Sequence, residues 1–299
     1  MSCGKMPRVK VCFLLLALLA CGIGIAQAQK LARMAYSGVG IANADAVSEG
    51  IRTVLKHRSK RAIVQFKAQT LDRNGLRTLA DGLVENALYE SEDPCGGDYL
   101  RFQMGGYELR HSVGKGLFRY VYTIKLSPHY YTTAEQEAAV DERVQEIIAG
   151  FAFHDKATDE KKARAVHTFL CDTVRYDTVH KKNPDSHIKT TAYAALFYHT
   201  AVCQGYAVTA YRLLKELGVD TRIVTGTAEV DGKRERHAWN IVRINGRYYN
   251  MDTTLDAVSG TDDYFLKTED AFAVDHERDA EYQTAAFQER YPGGTESFH

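Results

Sequence analysis

The sequence predicts an α+β fold, and three observations carry that expectation. From residue 158 onward, segments with apolar residues at helical spacing come first and strand-like segments follow, which places helices on an antiparallel sheet instead of building βαβ units. An Asn245-Gly246 pair separates two of those strand-like runs and sets a two-residue hairpin. With 299 residues, 45% hydrophobic and 25% charged, the chain can bury one medium core and a smaller one.

Three segments follow: 1–28 as an export signal, 29–127 as an N-terminal arm with a small α/β module, and 128–299 as the α+β domain. Lys5, Arg8 and Lys10 precede an almost unbroken apolar run over 11–20, and Ala26-Gln27-Ala28 offers a small-x-small cleavage site. The run is shorter than the about 20 apolar residues a spanning helix needs. The mature chain is therefore expected outside the cytoplasm: secreted, periplasmic or at the cell surface. Cys21, in Leu18-Leu19-Ala20-Cys21, has two readings, a lipid attachment point or an apolar cysteine discarded with the signal, and only the first brings the protein to a membrane. Lys+Arg and Asp+Glu number 38 each, so charge points to no nucleic acid.

In the N-terminal segment, 29–57 has weak helical periodicity and reads as an arm. Residues 62–66 read as a strand, and Leu76, Leu79, Ala80, Leu83, Ala87 and Leu88 recur at helical spacing. Strands are expected over 107–113 and 117–126, joined by Gly114-Lys115-Gly116; Phe118, Tyr120, Tyr122, Ile124 and Leu126 alternate as a half-buried strand requires. Pro128 is expected to end that pattern and mark the domain border.

Beyond the border, Thr132 lies three residues before Glu135, the spacing of a capping box, and Val140, Val144, Ile147 and Ile148 form the buried face of the helix that follows. A second helix starts near Thr158-Asp159 and aligns Ala163, Val166, Leu170 and Val174. In a third, Tyr206, Ala207, Ala210, Leu213, Leu214 and Leu217 keep helical spacing, with Gly218 at the C-terminal cap. Strands are then expected over 221–228, 236–244 and 247–251.

Cys203 falls in the first turn of the third helix, where unsatisfied N–H groups and the helix dipole stabilise a thiolate. The plainer alternative is a small buried cysteine starting a core helix. His237 shares a strand face with Trp239, the chain's one tryptophan. Counting outward from the Asn245-Gly246 turn, Trp239 faces Asp252, so Asp252 is a diagonal neighbour of His237 on the same face; the alternative for Asp252 is a strand-end acid bonded to nearby backbone. Cys203 would attack a carbonyl, His237 would shuttle the proton, and Asp252 would orient the imidazole. The Cys203 N–H is a candidate oxyanion donor; Gln204 and Tyr193 are weighed as a second, against the plainer reading of surface or core hydrogen bonding. His167, His187 and His199 have no comparable aspartate in sequence and read as structural.

Loss of the signal removes Cys3, Cys12 and Cys21 and leaves Cys95, Cys171 and Cys203. Pairing of Cys95 with Cys171 would leave Cys203 free; three unpaired thiols are equally compatible with the sequence. No Cys-x-x-Cys or His-Glu-x-x-His spacing supports a zinc site, and no cofactor is implied.

Four segments, Thr191-Ala192-Tyr193-Ala194-Ala195-Leu196, Val202-Cys203-Gln204-Gly205-Tyr206-Ala207, His237-Ala238-Trp239-Asn240 and Tyr249-Asn250-Met251-Asp252-Thr253-Thr254, together resemble the core of bacterial transglutaminase-like proteins over roughly 158–275. The resemblance implies a papain-like fold and a Cys-His-Asp triad at Cys203, His237 and Asp252. It implies a thiol enzyme that acts on an amide of a peptide, protein or cell-envelope substrate, with water or an amine as acceptor. A binding or assembly module on the same fold is the alternative from another class. The N-terminal segment lies outside the resemblance.

Overall fold

A computed structural model describes residues 33–37, 40–41, 44–68, 72–116, 120–153, 157–179, 187–230 and 232–298; the export signal and Cys21 lie outside them. The chain divides into two compact units, Met1–Glu90 with Met104–Tyr130 and Ser91–Gln103 with Tyr131–His299. The expected border at Ser127-Pro128 thus moves to Tyr130, and 91–103 belongs to the second unit.

The first unit is built from β1 (Arg33–Ser37), β2 (Gly40–Ile41), α1 (Ala44–Lys56), β3 (Ala62–Ala68), α2 (Arg73–Ala87), β4 (Met104–Lys115) and β5 (Tyr120–Tyr130), with strand order β2-β1-β3-β5-β4. The expected arm is part of this fold: β1 pairs parallel with β3, and α1 buries Val47, Ile51 and Leu55. A stripe of three residues four apart is too short a signal to stand out in sequence. Contrary to expectation, β5 runs through Pro128. Its ladder with β3 ends at Ala62 opposite Leu126, so at Pro128 only β4 flanks the strand, and the missing N–H costs no pairing on the open side.

The second unit contains α3 (Asp98–Phe102), α4 (Ala134–Gly150), α5 (Asp159–Thr173), β6 (Arg175–Tyr176), β7 (Thr200–Ala201), α6 (Cys203–Glu216), β8 (Thr221–Val230), β9 (Lys233–Ile244), β10 (Arg247–Met251), α7 (Thr253–Ser259), α8 (Glu269–Phe272), β11 (His276–Arg278) and α9 (Ala285–Arg290). Its main sheet has the antiparallel order β10-β9-β8-β11. One core joins the sheet to α4, α5 and α6 through Val140, Val166, Leu170, Tyr206, Ile223 and Val242; a smaller cluster around Trp239, Ile241 and Phe272 involves the alternate residues of β9. This is the expected arrangement of helices on an antiparallel sheet.

Local chemistry sets the boundaries. Thr133, one residue after the expected Thr132, caps α4 in a box with Gln136 (3.2 and 2.9 Å), while the Thr132 hydroxyl turns to Glu137. Thr158 caps α5 as expected. Asn245 and Gly246 both have positive φ (51° and 84°), the primed turn that matches strand twist, and fix the register from Arg247 opposite Ile244 to Met251 opposite Asn240. The 91–103 segment is anchored by Asp98, 1% exposed, whose carboxylate takes Arg222 Nε at 2.7 Å, Arg222 Nη2 at 2.9 Å and the Ile223 N–H at 2.8 Å.

Candidate active site

Val202 is extended (φ −94°, ψ 175°) and Cys203 opens α6, so the half-buried thiol and its N–H lie in the helix's first turn. Gly205 makes that placement possible. A Cβ there would stand 2.7 Å from the Lys189 carbonyl and 2.8 Å from Ala201 Cβ, and the same carbonyl accepts the Val202 N–H at 3.0 Å. The chain reaches Cys203 through a π-helical turn, Ala194–Tyr198, closed by His199 at φ 53°, and through β7, which pairs with β6 beside Tyr176.

His237 stands on β9 opposite Gly226 of β8 and is 7% exposed. Its Nε2 lies 2.6 Å from Asp252 Oδ2, and Cys203 is near enough to the ring to bear on its charge. With Nε2 committed to the carboxylate, Nδ1 is the nitrogen left for sulfur. Burial works against the charged ring, yet the Asp252 carboxylate and the Cys203 thiolate outweigh it and raise the His237 pKa to about 10. Trp239 lies nearly parallel to the imidazole with centroids 6.2 Å apart, and its Nε1 donates to Asn250 Oδ1 at 3.0 Å, which fixes the indole.

The β10 ladder stops at Met251, and Asp252 leaves it as the N-cap of α7. The strand register expected for 252–254 is therefore replaced by a helix start, because the Asp252 side chain satisfies the first free N–H groups. Oδ1 accepts the N–H of Thr254 (3.0 Å) and Leu255 (3.2 Å), leaving Oδ2 for the imidazole. Asp252 thus makes both the imidazole contact and the backbone contacts that the sequence offered as alternatives. Burial alone would raise its pKa; His237 and His276 reverse that and hold the carboxyl well below the usual range.

His276 was not singled out in the sequence. It sits on β11, 3% exposed, with Nε2 3.1 Å from the same Asp252 Oδ2 and Nδ1 2.6 Å from Asp275 Oδ1. A three-residue strand shows no periodicity, and the adjacent Asp275-His276 pair is the only trace it leaves in sequence. Gly226 admits β11: a Cβ there would lie 2.0 Å from the Glu277 carbonyl. Among the described residues, His237, Asp252 and His276 are the one set of His, Cys, Asp and Glu donors gathered within 4.8 Å, and their 2.6 and 3.1 Å spacings to a shared oxygen are those of hydrogen bonds.

One expectation is corrected. His167 does have an aspartate: its Nε2 is 2.8 Å from Asp256 Oδ2, and Cys171 Sγ lies 3.7 Å from the same nitrogen. Sequence spacing hid this pair because α7 brings Asp256 back against α5. Burial, with Asp256, Asp262, Asp172 and Asp252 around it, pushes the Cys171 thiol up to about 12, so this second Cys-His-Asp group holds its sulfur protonated. Gln204 takes the plainer of its two readings, with Nε2 donating to the Phe102 carbonyl at 2.6 Å; Tyr193 stacks on Phe197. Cys171 and Cys203 carry free thiols and Cys95 Sγ donates to Asp141 Oδ1 at 3.6 Å, so the Cys95–Cys171 pairing is not formed.

The family model of the transglutaminase-like superfamily matches residues 148–253, which contain Cys203, His237 and Asp252. The kyphoscoliosis peptidase of Homo sapiens is 25% identical over 167 residues, a stretch covering 49% of this chain and 24% of that protein. A transglutaminase crystal structure aligns over 65% of this chain and 52% of its own, at 16% identity and a TM-score of 0.36. The chain thus spans about a quarter of the peptidase's length and about half of the transglutaminase's.

Proposed function

We propose that this chain, whose residues 148–253 match the family model of the transglutaminase-like superfamily, is an exported thiol enzyme that acts on amide bonds through a thioester on Cys203, as a peptidase or amidase. The observation that carries this reading is the Asp252 carboxylate on His237 Nε2 at 2.6 Å, with Cys203 at the start of α6 near enough to the same ring to raise its pKa. The Cys203 thiolate adds to the amide carbonyl carbon, and the oxygen takes the negative charge next to the Cys203 N–H at the start of α6. His237 gives its proton to the leaving amine, the C–N bond breaks, and the acyl group stays on sulfur. Water then attacks the thioester, His237 takes its proton, and the acid is released. Asp252, held by the α7 amides, keeps Nε2 of the ring occupied so that Nδ1 faces sulfur throughout.

An amine in place of water would make the same intermediate a transglutaminase step, and hydrolysis is the reading adopted because superfamily membership by itself does not entail cross-linking. Incubation with a glutamine peptide, with and without a primary amine, followed by mass analysis, separates the two. Release of acid that is lost in Cys203→Ala supports hydrolysis; a product heavier by the amine, lost in the same variant, assigns transfer. No product in either arm and no acyl-enzyme mass with a panel of peptides supports the binding-module alternative.

A further inference from the structure

The geometry points to His276 as a positioning residue that shares the Asp252 carboxylate with His237 and sets how strongly that carboxylate holds the His237 proton. This inference rests on the proposed Cys203–His237 pair and adds a residue to it.

Both imidazoles direct Nε2 at one oxygen, Asp252 Oδ2, at 2.6 and 3.1 Å. The other oxygen is filled by two backbone amides, so His276 occupies the last acceptor direction of a carboxylate that is fully buried. The His276 ring is clamped at both ends. Nδ1 meets Asp275 Oδ1 at 2.6 Å, and Asp275 Oδ2 accepts the Tyr264 hydroxyl at 2.6 Å. Phe272 stacks on the ring at 3.8 Å, and Trp239 and Tyr264 close it edge-on at 5.2 and 5.4 Å. These contacts hold the ring in place, and it is 3% exposed.

Both contacts of His276 are hydrogen bonds only when both ring nitrogens carry protons, which makes the ring a cation next to Asp252. A second donor and a second cation on Oδ2 each weaken the hold of Asp252 on the His237 proton. The proton that must pass to the leaving amine is therefore held less tightly than Asp252 alone would hold it. The groups that bear on the two rings are Cys203 on α6, Asp252 at α7, Asp275 and Tyr264 in the segments before β11 and after α7, and Tyr176 of β6 near the sulfur. Behind Trp239, Arg278 and Glu269 meet at Asn250.

The test is the rate of Cys203 alkylation by iodoacetamide against pH, read by peptide mass, in wild type, His276→Phe and His276→Gln. Phe retains the aromatic packing and removes donor and charge; Gln retains a donor and removes the charge. In wild type the profile has a lower step where the thiolate–imidazolium pair forms and an upper step where His237 loses its proton. The upper step is expected to move up by about half a pH unit or more in His276→Phe and by less in His276→Gln. If Phe fails to fold, an upward shift in Gln carries the inference. An upper step unmoved in the folded variants, with wild type showing both steps, overturns the role of His276 alone. A wild-type profile with a single step at an ordinary thiol's pH removes the Cys203–His237 pair and this inference with it.

Discussion

Asp252 divides its two oxygens between His237 and the start of α7: Oδ2 meets the imidazole at 2.6 Å while Oδ1 caps the helix. One residue therefore bonds both the imidazole and the helix start, and the two can be separated by substitution. Asp252→Asn keeps an N-cap and loses the charge opposite the imidazolium; turnover is expected to fall on the order of 10³-fold with a small change in melting temperature. Asp252→Ala loses the cap as well and is expected to cost about a further 1 kcal/mol by chemical denaturation. Equal stability of the two variants would remove the capping role.

The raised His237 pKa makes stability depend on pH. Burial opposes the imidazolium, but Asp252 and Cys203 bring its pKa to about 10, above the roughly 6.5 of an unfolded chain. The resulting stabilisation is complete below about pH 6.5 and is lost as the pH climbs through about 10. The stability gap between wild type and His237→Gln, from denaturant titrations, is expected to be widest near pH 6 and to shrink toward pH 10. A gap that widens over that range contradicts the raised value.

Gly226 lets β11 approach β8. A Cβ there would stand 2.0 Å from the Glu277 carbonyl and 2.9 Å from Arg278 Cα, both backbone atoms. Gly226→Ala is expected to push β11 away and destabilise the unit by about 1–3 kcal/mol, seen as a lower melting temperature. Faster amide hydrogen exchange should be confined to β8 and β11.

Asp98 carries both Arg222 contacts and the Ile223 N–H from a buried position. Asp98→Ala leaves a guanidinium without its carboxylate and is expected to cost about 3–5 kcal/mol. Limited proteolysis should then cut within 91–103 first.

Two thiols lie near imidazoles, and their surroundings differ. Cys171 is held protonated by burial and four aspartates, whereas Cys203 opens a helix against His237. Brief iodoacetamide treatment at about pH 7 should label Cys203 at least about tenfold ahead of Cys171, and Cys171→Ala should retain turnover. Preferential labelling of Cys171 would reverse the assignment.

The sequence made much of this site legible because local rules governed it. The Asn245-Gly246 turn fixed the β9–β10 register, and helical spacing from Tyr206 to Leu217 fixed where α6 begins, which together brought Cys203, His237 and Asp252 within reach of one inference. What escaped depended on contacts distant in sequence. His276 arrives on a strand of three residues, and Asp256 meets His167 across 89 positions. Pro128 misled because a proline's meaning depends on whether a neighbouring strand lies alongside. The cap of α4 slipped by one residue because Thr132 with Glu135 and Thr133 with Gln136 have the same spacing, and the Thr132 hydroxyl is taken by Glu137.

The central claim, that Cys203 is a thiolate nucleophile paired with His237, is tested most directly by the iodoacetamide alkylation rate of Cys203 at about pH 6 in wild type and His237→Ala. The account predicts rapid alkylation in wild type that falls by about tenfold or more in the variant, where no imidazolium faces the sulfur. Alkylation of wild type no faster than that of an ordinary thiol, whose pKa is about 8.5, would contradict it.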